Sequence, residues 1–232
     1  MKFMRKESRR ENLRMSANPI RLAHWHKSMI CGVNGQGKSV LFRALVRDYL
    51  EAGARVLLYD SEHELSDKIP RKKRIDPEVY LAYLREAYPG LTVYVPRHST
   101  KEARITEFDK VCNRVYETGR MVLAVESIDF YAPPRQDLTE YLQKIVHWGR
   151  NEDIGLIMTS RRPANVNKDA CALNQNWFLF HCYINNDLKW LREFIPPHHI
   201  EELKTLPRFD FIHWTQNTVA RHNPIPEEEA EL

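Results

Sequence analysis

At 232 residues, 43% hydrophobic and 28% charged, the chain has the make-up of a soluble globular protein with one generous α/β core. No apolar run is long enough to span a bilayer and the N-terminus carries no apolar leader core, which argues against a membrane span or a secretory route; the product is expected to stay in the cytosol. The net charge of +4 is modest but clustered, so either solvated surface or contact with a polyanion such as nucleic acid explains it.

In chain order, residues 1–19 lack an apolar period and read as a basic arm, with Lys2, Arg5, Lys6, Arg9, Arg10 and Arg14 against Glu7 and Glu11. Residues 27–31 can form a short buried strand. Residues 32–39 then read Gly-Val-Asn-Gly-Gln-Gly-Lys-Ser, a complete G-x-x-x-x-G-K-[ST] phosphate loop, and residues 40–46 continue as a helix with an apolar face. That strand–loop–helix setting turns the backbone N–H groups of Gly32, Val33, Asn34, Gly35, Gln36 and Gly37 toward a polyphosphate at a helix N-terminus, with Lys38, Ser39 and Val40 completing the cradle. Lys38 is expected to reach the β/γ-phosphates of a bound nucleotide, and Ser39 to place its hydroxyl on Mg²⁺.

Residues 55–60 form a second strand ending on Asp60, followed by Glu62 and Glu64. An acid at the nucleotide edge that orients the metal's water ligands and an exposed polar loop explain these letters equally well. The run Arg71-Lys72-Lys73-Arg74 precedes a helix expected over 76–88, opened by Asp76-Pro77 and stopped by Pro89-Gly90. Residues 92–95 are a β-branched and aromatic strand, and 102–118 a long helix ending at Gly119. The apolar strand 121–126 delivers Glu126 to the sheet's C-terminal edge, where ligands of open α/β sheets bind. Glu126 is therefore the candidate acid for the Mg²⁺ site, partly through water, or the base for the attacking water. Asp129 is the reserve, since positions i and i+2 share a face if the strand continues.

Further along, residues 137–149 are helical, 154–159 and 177–180 are strands, 185–194 and 198–206 are short helices, and 209–214 with 218–221 alternate like a terminal antiparallel hairpin. Near-continuous apolar strands separated by helices predict a mostly parallel sheet with helices on both faces. Arg150 follows a helix and either pairs on the surface or enters a neighbouring subunit's site. Arg161 and Arg162 stand at a strand tip where a γ-phosphate sensor belongs. Cys31, Cys112, Cys171 and Cys182 show no metal-ligand spacing and read as reduced core cysteines. The C-terminus is acidic, with Glu227, Glu228, Glu229 and Glu231.

The stretch from Gly149 to Pro163, an arginine, then a Gly-hydrophobic strand, then a Thr-Ser-Arg-Arg-Pro tip, resembles a hallmark of the FtsK–HerA ATPases. Asp60 and Glu64 resemble that family's Asp-Pro-His-Gly-Glu-Tyr stretch. Residues 186–191 and 203–206 look like the C-terminal section of the genome-packaging ATPases of membrane-containing icosahedral viruses, such as the turreted icosahedral viruses of archaea. The resemblance spans roughly residues 27–222. It implies an α/β P-loop NTPase of the RecA/ASCE-like kind at 20–222, between a basic arm at 1–19 and an acidic tail at 223–232.

By that resemblance Glu126 is the Walker B acid, Arg161 occupies the sensor glutamine position, and Arg150 matches a finger acting in trans. Ser127 stands where the family usually has its catalytic glutamate, and Arg161 replaces a glutamine. The implied function is ATP-driven translocation of double-stranded DNA into a preformed capsid by a homo-oligomeric ring, a hexamer by expectation. Such a ring contacts the phosphate backbone without sequence preference, works with capsid vertex or membrane proteins, and is found in the host cytoplasm and at the virion's packaging vertex. Arg71 to Arg74 and the N-terminal arm are the candidate DNA contacts. The rivals are a cellular or plasmid DNA pump of the same superfamily, a monomeric P-loop kinase acting on a small molecule, and a nucleotide-binding assembly protein with little hydrolysis.

Overall fold

A computed structural model of the chain describes residue 20, residues 22–62 and residues 90–226. The arm, Glu64, the run Arg71 to Arg74, the helix expected over 76–88 and the acidic residues of the tail lie outside the described residues. The strands are β1 (Lys27–Cys31), β2 (Val56–Tyr59), β3 (Leu91–Tyr94), β4 (Met121–Val125), β5 (Ile154–Ser160), β6 (Asn176–Phe180), β7 (Phe211–Trp214) and β8 (Val219–His222). Every residue of β1, β2, β4, β5 and β6 is buried. Continuous rather than alternating burial belongs to strands covered on both faces, which is why these segments read as unbroken apolar runs.

The eight strands form one sheet in the order β3-β2-β4-β5-β1-β6-β7-β8. Pairings from β3 to β6 are parallel, and β6–β7 and β7–β8 are antiparallel. The mostly parallel sheet and the terminal hairpin are those expected from the sequence. The order is additional information: β5 lies between β1, which feeds the phosphate loop, and β4, which ends before Glu126.

Helix α1 (Lys38–Glu51) packs Leu41, Phe42, Leu45, Val46 and Tyr49 against one face of the sheet, meeting Ile30, Leu58, Ala124 and Phe178. The other face carries α2 (Lys101–Thr118), α3 (Glu140–Trp148), α4 (Lys168–Cys171), α5 (Asn185–Leu191) and α6 (Pro197–Glu202). Phe108, Val111, Ile145 and Leu188 there meet Met29, Leu123, Met158 and Trp177. Alternate residues of a strand supply the two cores, as Met29 and Cys31 supply one and Ile30 the other. Burying each large apolar side chain stabilises the fold by about 1.5–3 kcal/mol.

Several boundaries differ from the sequence expectation, among them the helices expected at 185–194 and 198–206, which end at Leu191 and Glu202, and two of the shifts have a clear physical reason. Helix α3 begins at Glu140 rather than 137, and its first-turn amide at Tyr141 is capped from another element, by Asp109 Oδ1 of α2 at 2.9 Å. Strand β7 begins at Phe211 rather than 209, because Phe209 takes the left-handed conformation with φ 72°. That breaks the extended run and brings its ring beside Gly37, where a Cβ would lie 3.4 Å from Phe209 Cδ1. All four cysteines are buried free thiols. No described helix is long and apolar enough to cross a membrane.

Candidate functional site

The phosphate loop joins β1 to α1 at the C-terminal edge of the parallel strands. Gly32 has φ 147°, and a Cβ there would meet Phe180 Cβ at 2.7 Å, so only glycine lets the loop leave β1 against β6. Gly37 takes the left-handed conformation at the N-cap of α1 and turns the chain into the helix. Lys38 Nζ donates to Val33 O at 2.8 Å, so its ammonium already lies across the mouth of its own loop. Burial brings Lys38 down to about 8, and the Arg161 guanidinium adds to the effect.

Around this loop opens a cleft of about 300 Å³ lined by Asn34, Gly35, Gly37, Lys38, Ser39, Val40, Glu62, Glu126, Ser127, Thr159 and Arg161. Three strand tips supply its far wall: Glu62 follows β2, Glu126 and Ser127 follow β4, and Arg161 follows β5. The wall is tied together by hydrogen bonds. Ser127 N donates to Thr159 Oγ1 at 3.0 Å, Ser127 Oγ donates to Glu62 Oε1 at 2.6 Å, and Arg161 Nη2 donates to the same Oε1 at 2.6 Å. Ser61 Oγ donates to Glu126 O at 2.8 Å. Ser39 and Glu126 thus face one cleft, and one hydroxyl plus one carboxylate is the donor set that suits Mg²⁺ held largely by phosphates and water.

Beside the loop is an apolar pocket of about 270 Å³ lined by Gly37, Val40, Leu41, Phe180, Phe209, Phe211, Pro224 and Ile225. Arg208 lies over the Phe209 ring at 4.5 Å, and its Nε donates to Gly35 O at 3.2 Å. A flat, largely apolar group attached to phosphates fits a pocket so placed.

No protein-family model and no curated protein matches the sequence. Solved structures match in shape. The genome-packaging NTPase B204 of Sulfolobus turreted icosahedral virus 2, in complex with AMPPCP, superposes with a TM-score of 0.73 at 19% identity, over 88% of this chain and 100% of that one. The chain shares the fold of this P-loop NTPase. VirB4 of Thermoanaerobacter pseudethanolicus follows at a TM-score of 0.66, 10% identity, and 89% and 93% of the two chains. The bacterial conjugative coupling protein TrwB gives 0.65 at 11% identity, over 94% and 92%.

Within this fold the sequence candidates separate into three groups. Lys38, Ser39, Glu126 and Arg161 converge on the cleft together with the loop. Asp60, Asp129 and Arg162 lie behind or beside its wall. Asp60 is fully buried at the end of β2, and Glu62 lines the cleft in its place. The strand continuation assumed for Asp129 does not occur: β4 ends at Val125, Ser127 has φ 52°, and Asp129 sits in a 3₁₀ turn (Ile128–Phe130). Its carboxyl is raised by burial and hydrogen-bonded to Ser160. Arg162 Nε donates to the fully buried Asp187 Oδ2 at 2.8 Å, and Ala164 N donates to Asp187 Oδ1 at 3.0 Å.

Arg150 stands apart. It lies on the 3₁₀ turn Gly149–Glu152 that precedes β5, at the opposite edge of the sheet from the phosphate loop. Its guanidinium stacks 4.2 Å over the Trp25 ring, leaving the residue exposed. Sequence reasoning missed Thr159, Arg208, Phe209 and the apolar pocket as parts of the site. Arg208 is 173 positions from Gly35, and no local pattern signals such a contact.

Proposed function

We propose that the chain is an ATP-driven translocase of double-stranded DNA that packages a viral genome into a preformed capsid. The observation that carries this reading is the division of its charged machinery between two edges of one sheet. Lys38, Ser39, Glu126 and Arg161 share the cleft at one edge, whereas Arg150 is exposed at the other. A guanidinium so placed is remote from its own chain's phosphate loop and is free to enter the next subunit's site, which supports a homo-oligomeric ring, a hexamer in this reading. The full coverage of a genome-packaging NTPase by this chain supports the same reading.

In the cleft, the loop amides and Lys38 take the β- and γ-phosphates of ATP, and the apolar pocket takes the base. Ser39 and Glu126 would hold Mg²⁺, which neutralises phosphate charge as it develops. Arg161 faces the terminal phosphate and reports its presence to the Glu62 and Ser127 wall through its ion pair. Contact with DNA runs through the phosphate backbone, without sequence preference and with strong salt dependence. The basic arm and Arg71 to Arg74 are the proposed contacts, capsid vertex or membrane proteins the proposed partners, and the host cytoplasm and packaging vertex the proposed locations. The likeness to a conjugative coupling protein supports one second reading, a plasmid or cellular DNA pump.

Steady-state ATP hydrolysis with and without duplex DNA, combined with the mass in solution, tests the proposal. DNA-stimulated turnover by an oligomer is expected. A strictly monomeric chain, active and indifferent to DNA, sinks the translocase reading in favour of a small-molecule kinase.

A further inference from the structure

The residue after the Walker B acid in this chain is a serine, and a serine hydroxyl cannot retain the proton of an attacking water. Among the described residues that line the cleft, only Glu62 and Glu126 are carboxylates. Glu126, 5% exposed just after β4, is the one assigned with Ser39 to the metal in the proposed function. Asp129 does not line the cleft. Glu62 comes from the neighbouring strand tip and meets Ser127 directly, Oγ to Oε1 at 2.6 Å. We propose that Glu62 is the water-activating carboxylate of this ATPase, delivered from β2 to the position that Ser127 leaves without one.

The surroundings of Glu62 hold it in place. Its neighbour Ser61 donates to Glu126 O, and Arg104 of α2 donates to Ser61 O, so the β2 tip is pinned to the β4 tip and to a helix. Ser127 and Arg161 both donate to Oε1. Among the described residues none donates to Oε2, which keeps lone pairs for a water. Thr159 fixes the Ser127 amide, and φ 52° at Ser127 turns that side chain toward Glu62 rather than along β4. In the step itself, a water oxygen bonds to the γ-phosphorus as the bond from that phosphorus to the β,γ-bridging oxygen breaks. The water's proton passes to Glu62 and then to solvent through the cleft mouth, and ADP and phosphate leave.

This assignment rests on the ATPase reading, and one set of measurements separates the two. In the full chain with Mg²⁺-ATP and duplex DNA, Glu62→Gln keeps an acceptor for Ser127 and Arg161 but loses the affinity for a proton. It is expected to bind ATP by calorimetry within about twofold of the unaltered chain and to hydrolyse it about 10²- to 10⁴-fold more slowly. Adding Ser127→Glu to Glu62→Gln returns a carboxylate to the same place, on a residue that already carries a Cβ at positive φ, and is expected to recover at least about tenfold of the lost rate. The assignment is overturned by normal turnover in Glu62→Gln, by loss of ATP binding along with turnover, or by a double variant as slow as the single one. An unaltered chain that binds ATP without hydrolysing it removes the ATPase reading and this assignment with it.

Discussion

Lys38 gives up most of its hydration in the cleft, and burial brings its ammonium down to about 8 while its unfolded value is near 10.5. Bound phosphates favour the charged form and raise that value again, so binding takes up a proton in the window between the two. ATP affinity is therefore expected to be flat below about pH 7.5 and to weaken by up to about tenfold per pH unit above about 8. Calorimetry at pH 7, 8 and 9 reads this directly, and Lys38→Ala should be weak at every pH without the slope. Arg162 makes a different case. Its partner Asp187 is fully buried, so Arg162→Ala leaves a buried carboxylate short of a donor and should cost about 1–3 kcal/mol of stability. Asp187→Asn in the same chain should recover part of that loss, since a neutral amide is cheaper to bury. A lost ATP turnover with an unchanged melting midpoint would instead place Arg162 on phosphate.

Among the elements, β5 makes the tightest demand on sequence. A Cβ at Gly155 would lie 2.1 Å from His24 O, where the chain entering β1 crosses the start of β5. His24 O is a backbone atom, so relief requires the main chain to shift, and Gly155→Ala should destabilise by about 1–3 kcal/mol. Gly149, six residues earlier, has φ −53° and only ordinary contacts at 3.5–3.7 Å, so Gly149→Ala should be neutral within about 1 kcal/mol. Chemical denaturation of the two variants tests the pair, and equal losses would show that β5 does not pack as described. The sequence resemblance already marked the Gly-hydrophobic strand, but the reason for its glycine is a contact with residue 24 that no local pattern contains. The same holds for α3, capped by Asp109 from another helix, and for Phe209, whose left-handed backbone shortens β7.

At the scale of the molecule, the opposed edges of the sheet set the prediction. Arg150→Ala removes only an exposed cation–π contact with Trp25, so the chain should fold normally yet hydrolyse ATP poorly once assembled. Mixed with a Lys38→Ala chain, which lacks a working cleft but keeps Arg150, it should regain about a tenth or more of its turnover, because an arginine finger contributes about 10³–10⁵ in rate. Mixtures no more active than the sum of their parts would remove Arg150 from the site. The sequence by itself determined the phosphate loop, the parallel α/β class, the terminal hairpin and the acid at the end of β4, because each is written in a local period or a contiguous motif. Only the tertiary structure decided that β5 separates β1 from β4, that Glu62 rather than Asp60 faces the cleft, that Asp129 leaves the strand, and that Arg150 and Lys38 lie at opposite edges. Strand order and strand-tip direction depend on pairings between residues tens of positions apart, and on a single positive φ at Ser127, neither of which a one-dimensional pattern specifies.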